Sequence, residues 1–223
     1  MPKVKVPRKS TNIDMTAMCD VAFLLLSFFI LTTKFKPSEA LSVTTPKSVS
    51  TKAVNTKNSV MIILDKDGKA YFSVADENTS EKGEIIDFVN EQKSLGLTDQ
   101  EKNAFKRSAS YIGVPFTQVK SFLKLDPEQL KGFNAPGIPV TDTLNNEMTL
   151  WLRATAEAFQ GKSMVVFLKG DNLAKYPSLK GIIDALKKND IMKFSMITDP
   201  EGVPPGTDLH KKVQVVGGKA TDE

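Results

Sequence analysis

The chain has 223 residues, a formal net charge of +4 and a single cysteine, and a quarter of its residues are charged. This length and composition predict one modest water-soluble domain with an additional segment, and a lone cysteine excludes an internal disulfide. The lysines are dispersed and are not interleaved with aromatic residues on one face, so a nucleic-acid partner is not expected.

The first predicted element is a transmembrane helix over residues 13–35, preceded by a basic tail over residues 1–12. At about 1.5 Å per residue, such a helix can cross the roughly 30 Å hydrocarbon core of a bilayer. The basic side chains of the tail favour a cytoplasmic N-terminus; they are Lys3, Lys5, Arg8 and Lys9. A cleaved signal peptide is the alternative, but no A-x-A-like site follows the apolar run.

Asp20 lies inside this apolar segment. A carboxylate near the centre of a membrane helix costs about 2.5–3.5 kcal/mol on insertion scales, and such residues usually face protein or water. At about 100° per residue, Thr16, Asp20 and Ser27 share one narrow face of the helix. No second apolar run offers a polar partner, so we expect one from another chain. Asp20 is therefore the predicted functional residue, with Thr16 and Ser27 as supporting polar groups.

Residues 36–58 follow the helix and are rich in Ser, Thr, Lys and Pro. This composition predicts a flexible linker, with one extended piece at residues 41–46.

The next stretch, residues 60–74, has two strand-like runs around an Asp-Lys-Asp-Gly turn, which predicts a β-hairpin. Asp65 and Asp67 are interpreted as turn residues and not as a calcium loop, because the remaining ligand spacing is absent.

The predicted folded domain covers residues 59–200 and belongs to the α/β class, since strand and helix patterns are both present. Residues 84–142 are its least regular part, with short helical patterns interrupted by Gly and Pro. We expect them to form an insertion that decorates a domain able to fold without them, and that contributes to partner choice. Residues 201–223 are predicted to be a mobile tail with one possible short strand at residues 213–216.

The end of the domain has the clearest pattern. Residues 164–168 read as a buried strand, Pro177 opens an amphipathic helix, and residues 192–198 read as another strand. Together they predict a βαβ unit. An earlier helix is predicted over residues 146–159, and Trp151 within it is interpreted as a core residue.

These features resemble the ExbD/TolR family of inner-membrane energy-transducing proteins, and ExbD more than TolR. The first match is IDMTAMCDVAFLLL at residues 13–26, in which the single essential aspartate of the family corresponds to Asp20. The second match begins with FLKGD at residues 167–171, continues through Tyr176, and ends in the strand at residues 194–198.

The resemblance implies a single-pass protein of the inner membrane, with a cytoplasmic N-terminus and a periplasmic α/β domain. It implies a motor subunit driven by the proton-motive force, in which Asp20 binds and releases protons to energise TonB-dependent transport across the outer membrane. The implied partners are an ExbB-like polytopic ring subunit, a TonB-like protein and a second copy of the chain. No cofactor, metal or enzymatic activity is expected.

Two other functions stay open on the sequence. The chain could be a membrane-tethered module that binds, for example, peptidoglycan, as TolR-like proteins do, with Asp20 serving assembly only. Retained function with asparagine at position 20 would favour that reading. A tethered enzyme has no support, because His210 is the sole histidine and neither a Cys/His metal cluster nor a phosphate-binding or nucleophile motif is present.

Overall fold

The computed structural model of the chain describes residues 15–32, 41, 43–49, 57–107, 111–126, 129–130, 133–142, 145–202 and 205–207. The chain divides into two compact units, Met1–Glu39 and Ala40–Glu223. The predicted basic tail over residues 1–12 and the possible strand at residues 213–216 lie outside the described residues.

The described part of the first unit is one helix, α1, Met15–Thr32. It falls within the predicted span of residues 13–35, and none of its residues is buried. By length and composition it could cross a membrane once. The helix is therefore compatible with a single-pass membrane anchor.

The second unit has mixed α and β structure, in agreement with the predicted α/β class. In chain order its elements are β1 (Lys47–Ser48), β2 (Ser59–Leu64), β3 (Ala70–Val74), α2 (Thr79–Lys93), α3 (Asp99–Arg107), α4 (Phe116–Phe122), α5 (Glu147–Ala158), β4 (Val165–Gly170), α6 (Tyr176–Lys188), β5 (Ser195–Ile197) and β6 (Asp199–Pro200).

The main sheet has the strand order β3-β2-β4-β5. β2 pairs antiparallel with β3, which confirms the predicted hairpin, and pairs parallel with β4. β4 and β5 are also parallel, and α6 connects them, so the predicted βαβ unit is present. β5 has only three residues and is shorter than the predicted strand over residues 192–198.

The hairpin turn is held by Asp65. Its Oδ1 accepts hydrogen bonds from the backbone N–H groups of Asp67 and Lys69, both at 2.9 Å. Gly68 has φ +84°, a conformation that glycine adopts without the strain of a side chain. Asp65 thus acts as a turn residue, as the sequence predicts.

Trp151 lies at the centre of the core and is fully buried, which confirms its interpretation as a core residue. Three aromatic rings stack on its indole, with centroid distances of 5.3 Å to Phe72, 6.0 Å to Phe105 and 5.5 Å to Phe116. Phe72 belongs to β3, whereas Phe105 and Phe116 belong to α3 and α4. Two of the three rings around Trp151 therefore come from the predicted insertion.

The expectation that residues 84–142 merely decorate a finished core does not hold. Phe72 of β3 and Ile112 exchange two backbone hydrogen bonds of 2.8 Å, so the segment also covers the sheet edge at β3. The buried apolar residues of the segment belong to the same core as the sheet; they are Ile85, Ile86, Val89, Leu97, Phe105, Ile112, Val114, Phe116, Val119, Phe122, Leu123, Ile138 and Val140. Residues 84–142 are an integral part of the domain, because without them the apolar residues of the sheet that they cover would be exposed to water.

Candidate functional site

The surface of α1 is almost wholly apolar and exposed. The exposure of its large apolar side chains runs from 53% at Leu25 to 84% at Leu31. An apolar surface of this extent needs lipid or another protein around it. Cys19, the neighbour of Asp20, is a free and exposed thiol on the same helix.

One polar face interrupts this surface. Because α1 is helical throughout, Thr16 lies one turn before Asp20, and Ser27 lies two turns after it, roughly 10 Å along the axis. Ser27 donates its hydroxyl to the carbonyl oxygen of Leu24 at 2.9 Å, so its polar group is satisfied within the helix. The helix therefore brings the three predicted site residues onto one face.

Asp20 differs from its neighbours on that face. Among the residues that the structure describes, its exposed carboxylate has neither a hydrogen-bond nor an ion-pair partner. Protonated, the carboxyl group is neutral and tolerates apolar surroundings; ionised, it requires polar ones.

A second polar site lies where the extended segment before β1 meets the end of β4. Asp171 follows β4, and its Oδ2 accepts a hydrogen bond from the backbone N–H of Thr44 at 3.0 Å. Its Oδ1 accepts one from the N–H of Leu173 at 2.9 Å. The N–H of Asn172 in turn donates to the carbonyl oxygen of Thr44 at 2.9 Å. Hydrogen bonds from Leu173 and Thr44 lower the pKa of Asp171, and the charge of Lys66 lowers it further.

The other flank of the same segment is also bonded. β1 pairs in parallel with β6. The N–H of Asp199 donates to the carbonyl oxygen of Pro46 at 3.0 Å, and the N–H of Glu201 donates to that of Ser48 at 2.9 Å. Residues 43–48, here called the docked segment, are thus fastened on both sides, although the sequence predicts a flexible linker over residues 36–58.

The sequence analysis did not predict that residues 43–48 are attached to the domain, although the position of Asp171 was a signal for such a contact. Asp171 directly follows a buried strand, where a carboxylate can accept backbone N–H groups at the sheet edge. The residues that it binds, around Thr44, are 127 positions away along the chain, and no local pattern connects them. Within the described ranges, no group of three or more His, Cys, Asp or Glu side chains could hold a metal ion.

Comparisons with known proteins point in one direction. The family description "Biopolymer transport protein ExbD/TolR" matches residues 7–201, which is most of the chain. A protein named Biopolymer transport protein ExbD, from Aquifex aeolicus (strain VF5), is 26% identical over 97 residues, covering 44% of this chain and 73% of the relative. No solved structure matches the chain.

Proposed function

This chain belongs to the ExbD/TolR family of biopolymer transport proteins, and we propose that it is an ExbD-like subunit of a motor driven by the proton-motive force. In this proposal α1 crosses the inner membrane once, with a cytoplasmic N-terminus and a periplasmic α/β domain. The subunit works inside a ring of ExbB-like subunits, as a pair with a second copy of itself. A TonB-like protein passes its motion to outer-membrane transporters.

The observation that carries the proposal is Asp20. Within the part of the chain that the structure describes, it is a carboxylate without a partner on an exposed and mostly apolar helix. Such a group is costly in a membrane and is expected to face protein or water, where intramembrane carboxylates serve proton relays. Thr16 and Ser27 on the same face can ease the transfer of the charged form out of water.

The cost of an ionised carboxylate in the membrane and the energy that the membrane potential supplies are similar in size. Keeping an ionised carboxylate near the centre of a membrane helix costs about 2.5–3.5 kcal/mol on insertion scales, and the membrane potential supplies about 2.3 kcal/mol per charge per 100 mV. Protonation of Asp20 would let the helix face an apolar wall of the ring, and release of the proton would turn it toward a polar one. Proton flow could therefore select the orientation of α1.

The docked segment supports a mechanical role for the rest of the chain. In this proposal a motion of α1 passes to the domain along the chain that joins them. Hydrogen bonds at Thr44 attach this chain to the residues that follow β4, and hydrogen bonds at Pro46 and Ser48 attach it to β6 and the residue that follows it. A displacement of the docked segment would therefore move the whole α/β domain.

The test replaces Asp20 by asparagine, which keeps the size and hydrogen-bonding capacity but cannot exchange a proton. We expect Asp20→Asn to co-purify normally with the ring partner and to abolish uptake of a TonB-dependent substrate. Asp20→Glu should be at best partly active, since it keeps the proton but moves it by one methylene. Ser27→Ala is the matched control on the same face and should be milder.

The competing function is a tethered binding module, because the family description covers TolR as well as ExbD. In that case Asp20 would serve assembly only. Full uptake by a normally assembled Asp20→Asn protein would refute the proton-driven function and favour the binding module.

A further inference from the structure

β5 forms one edge of the main sheet and is poorly covered. Within the part of the chain that the structure describes, β4 is the one strand that pairs with it. Met196, the middle residue of β5, keeps 51% of its surface in solvent. Its register partner on β4, Leu168, is buried in the core, so Met196 continues the apolar face of the sheet beyond the last strand. The edge therefore offers backbone groups and an apolar side chain to another extended segment.

The chain turns shortly after this edge strand. β6 follows β5 directly, and the chain makes a turn at Pro205 and Gly206. Gly206 has φ +89°, and a proline followed by a glycine of positive φ suits the two central positions of a type II turn. A turn of this type reverses the chain, which allows the residues after Thr207 to return alongside β6 and β5.

The sequence beyond the turn has the pattern of a short strand. Residues 208–223 lie outside the described residues, but residues 213–216 read Val-Gln-Val-Val and are followed by Gly217 and Gly218. A β-branched run that ends in glycine is typical of a strand. The family match ends at residue 201, so this run lies beyond the part of the chain that the family description covers.

The spacing brings this run opposite β5. Two antiparallel arms of equal length on either side of the turn place Val215 opposite Met196 and Lys212 opposite the exposed carboxylate of Asp199. Apolar pairs and pairs of opposite charge that lie directly across two antiparallel strands stabilise the pairing. A type II turn splays the strands next to it, so we expect the pairing at some distance from the turn, where β5 lies.

We propose that residues 213–216 form a fifth strand of the main sheet, antiparallel to β5, and close this edge against other extended chains. Val215 covers the side chain of Met196, and the backbone groups of the run pair with those of β5. A strand from a second copy or from another protein can then pair with β5 only after these residues have left it. The inference concerns the α/β domain alone and requires neither proton transfer nor a particular transport partner.

The test uses the full chain in detergent, with Cys19→Ala so that pairs of introduced cysteines can be joined by oxidation. The proposed pair is Met196→Cys with Val215→Cys. The matched control is Met196→Cys with Gln214→Cys, because successive residues of a strand point to opposite faces of the sheet. A second control combines Val215→Cys with Glu77→Cys, an exposed position after β3 at the other edge of the sheet. Non-reducing gel electrophoresis separates internally closed chains from linked dimers.

We expect the pair at positions 196 and 215 to close about tenfold faster than the pair at positions 196 and 214, since opposed side chains on one face come closest to disulfide geometry. Equal rates for these two pairs would overturn the proposal, because an unpaired tail would give that result. Closure of the pair at positions 77 and 215 would contradict a tail held at β5. Linked dimers of the single Met196→Cys variant would overturn the proposal as well, because a second copy would then occupy the edge.

Hydrogen exchange measures the proposed backbone bonds directly. Val215→Pro removes an N–H group and a proline is not accepted in a paired strand, so the amides of residues 195–198 should exchange roughly tenfold faster in this variant. Lys219→Pro, which lies beyond the two glycines, is the matched control and should leave their exchange unchanged. The same exchange at residues 195–198 in both variants would show that the run does not pair with β5.

Discussion

Gly181 offers a direct test of whether residues 84–142 are part of the domain core. It lies in α6, where the helix crosses the chain at Val140. A Cβ at position 181 would collide with the carbonyl oxygen of Val140 and lie 2.8 Å from its carbonyl carbon. The Nδ2 of Asn146 donates to the carbonyl oxygens of Gly181 at 2.7 Å and of Val140 at 3.2 Å, so the two chains are held together.

The expected cost of Gly181→Ala follows from these contacts. Alanine is about 1 kcal/mol more favourable than glycine within a helix. Overpacking costs about 1–3 kcal/mol, and the upper end applies here because the obstacle is backbone and not a side chain that can rotate. Disturbing the bonds of Asn146 adds about 1 kcal/mol. The net loss of unfolding free energy is about 3 kcal/mol, or a fall in Tm of roughly 6–12 °C.

Gly83→Ala is the matched control, because Gly83 is also a helical glycine. A Cβ there would meet the end of the Lys106 side chain, 2.6 Å from Cε, and that side chain can move away. We expect its stability to be unchanged or up to about 1 kcal/mol higher. Thermal unfolding of both full-length variants in the same detergent, followed by circular dichroism, measures the difference. Equal Tm values for the two variants would refute the close packing of α6 on Val140.

Two further predictions concern the core and the docked segment. Deleting residues 84–142 should abolish the cooperative unfolding transition and the near-ultraviolet circular dichroism of Trp151. The reason is that the rings of Phe105 and Phe116, which stack on Trp151, are lost with these residues. A deletion variant that still unfolds cooperatively would contradict this prediction. Hydrogen exchange should show the Thr44 amide protected by Asp171 at all pH values above about 4, since the pKa of this carboxyl is lowered in the folded protein and its contribution is lost only as the pH falls through that lower value. Asp171→Asn should remove this pH dependence, and unchanged exchange in that variant would show that the carboxylate does not hold Thr44.

Elements with strong local signals could be predicted from the sequence. The hairpin was marked by a turn with Asp65 and Gly68 between two β-rich runs, and α6 was marked by Pro177 at its start and by apolar residues at helical spacing. The position of Trp151 in the core followed from its place on the apolar face of α5. In each case one short stretch of chain contained the whole signal.

The sequence did not reveal that residues 84–142 belong to the core, because the contacts that show this join residues far apart along the chain. The Gly and Pro residues predict interruptions, yet Pro115 is the residue before α4, and Phe116, Val119 and Phe122 are buried at three-residue spacing within that helix. Only the stacking of Phe116 on Trp151 reveals that this helix completes the core. The proposed role of Asp20 has the same limit, since the polar group that we propose it faces would come from another chain.

The docked segment has a mechanical consequence. A force along the axis of a bonded strand loads its hydrogen bonds together, whereas a force across the strand breaks them one after another. Because residues 43–48 are bonded on both flanks, an axial pull would be shared between the end of β4 and the chain after β5. Both strands are joined covalently through α6. A force on the docked segment can therefore be transmitted to the whole domain, and the domain does not unfold one hydrogen bond at a time from this segment.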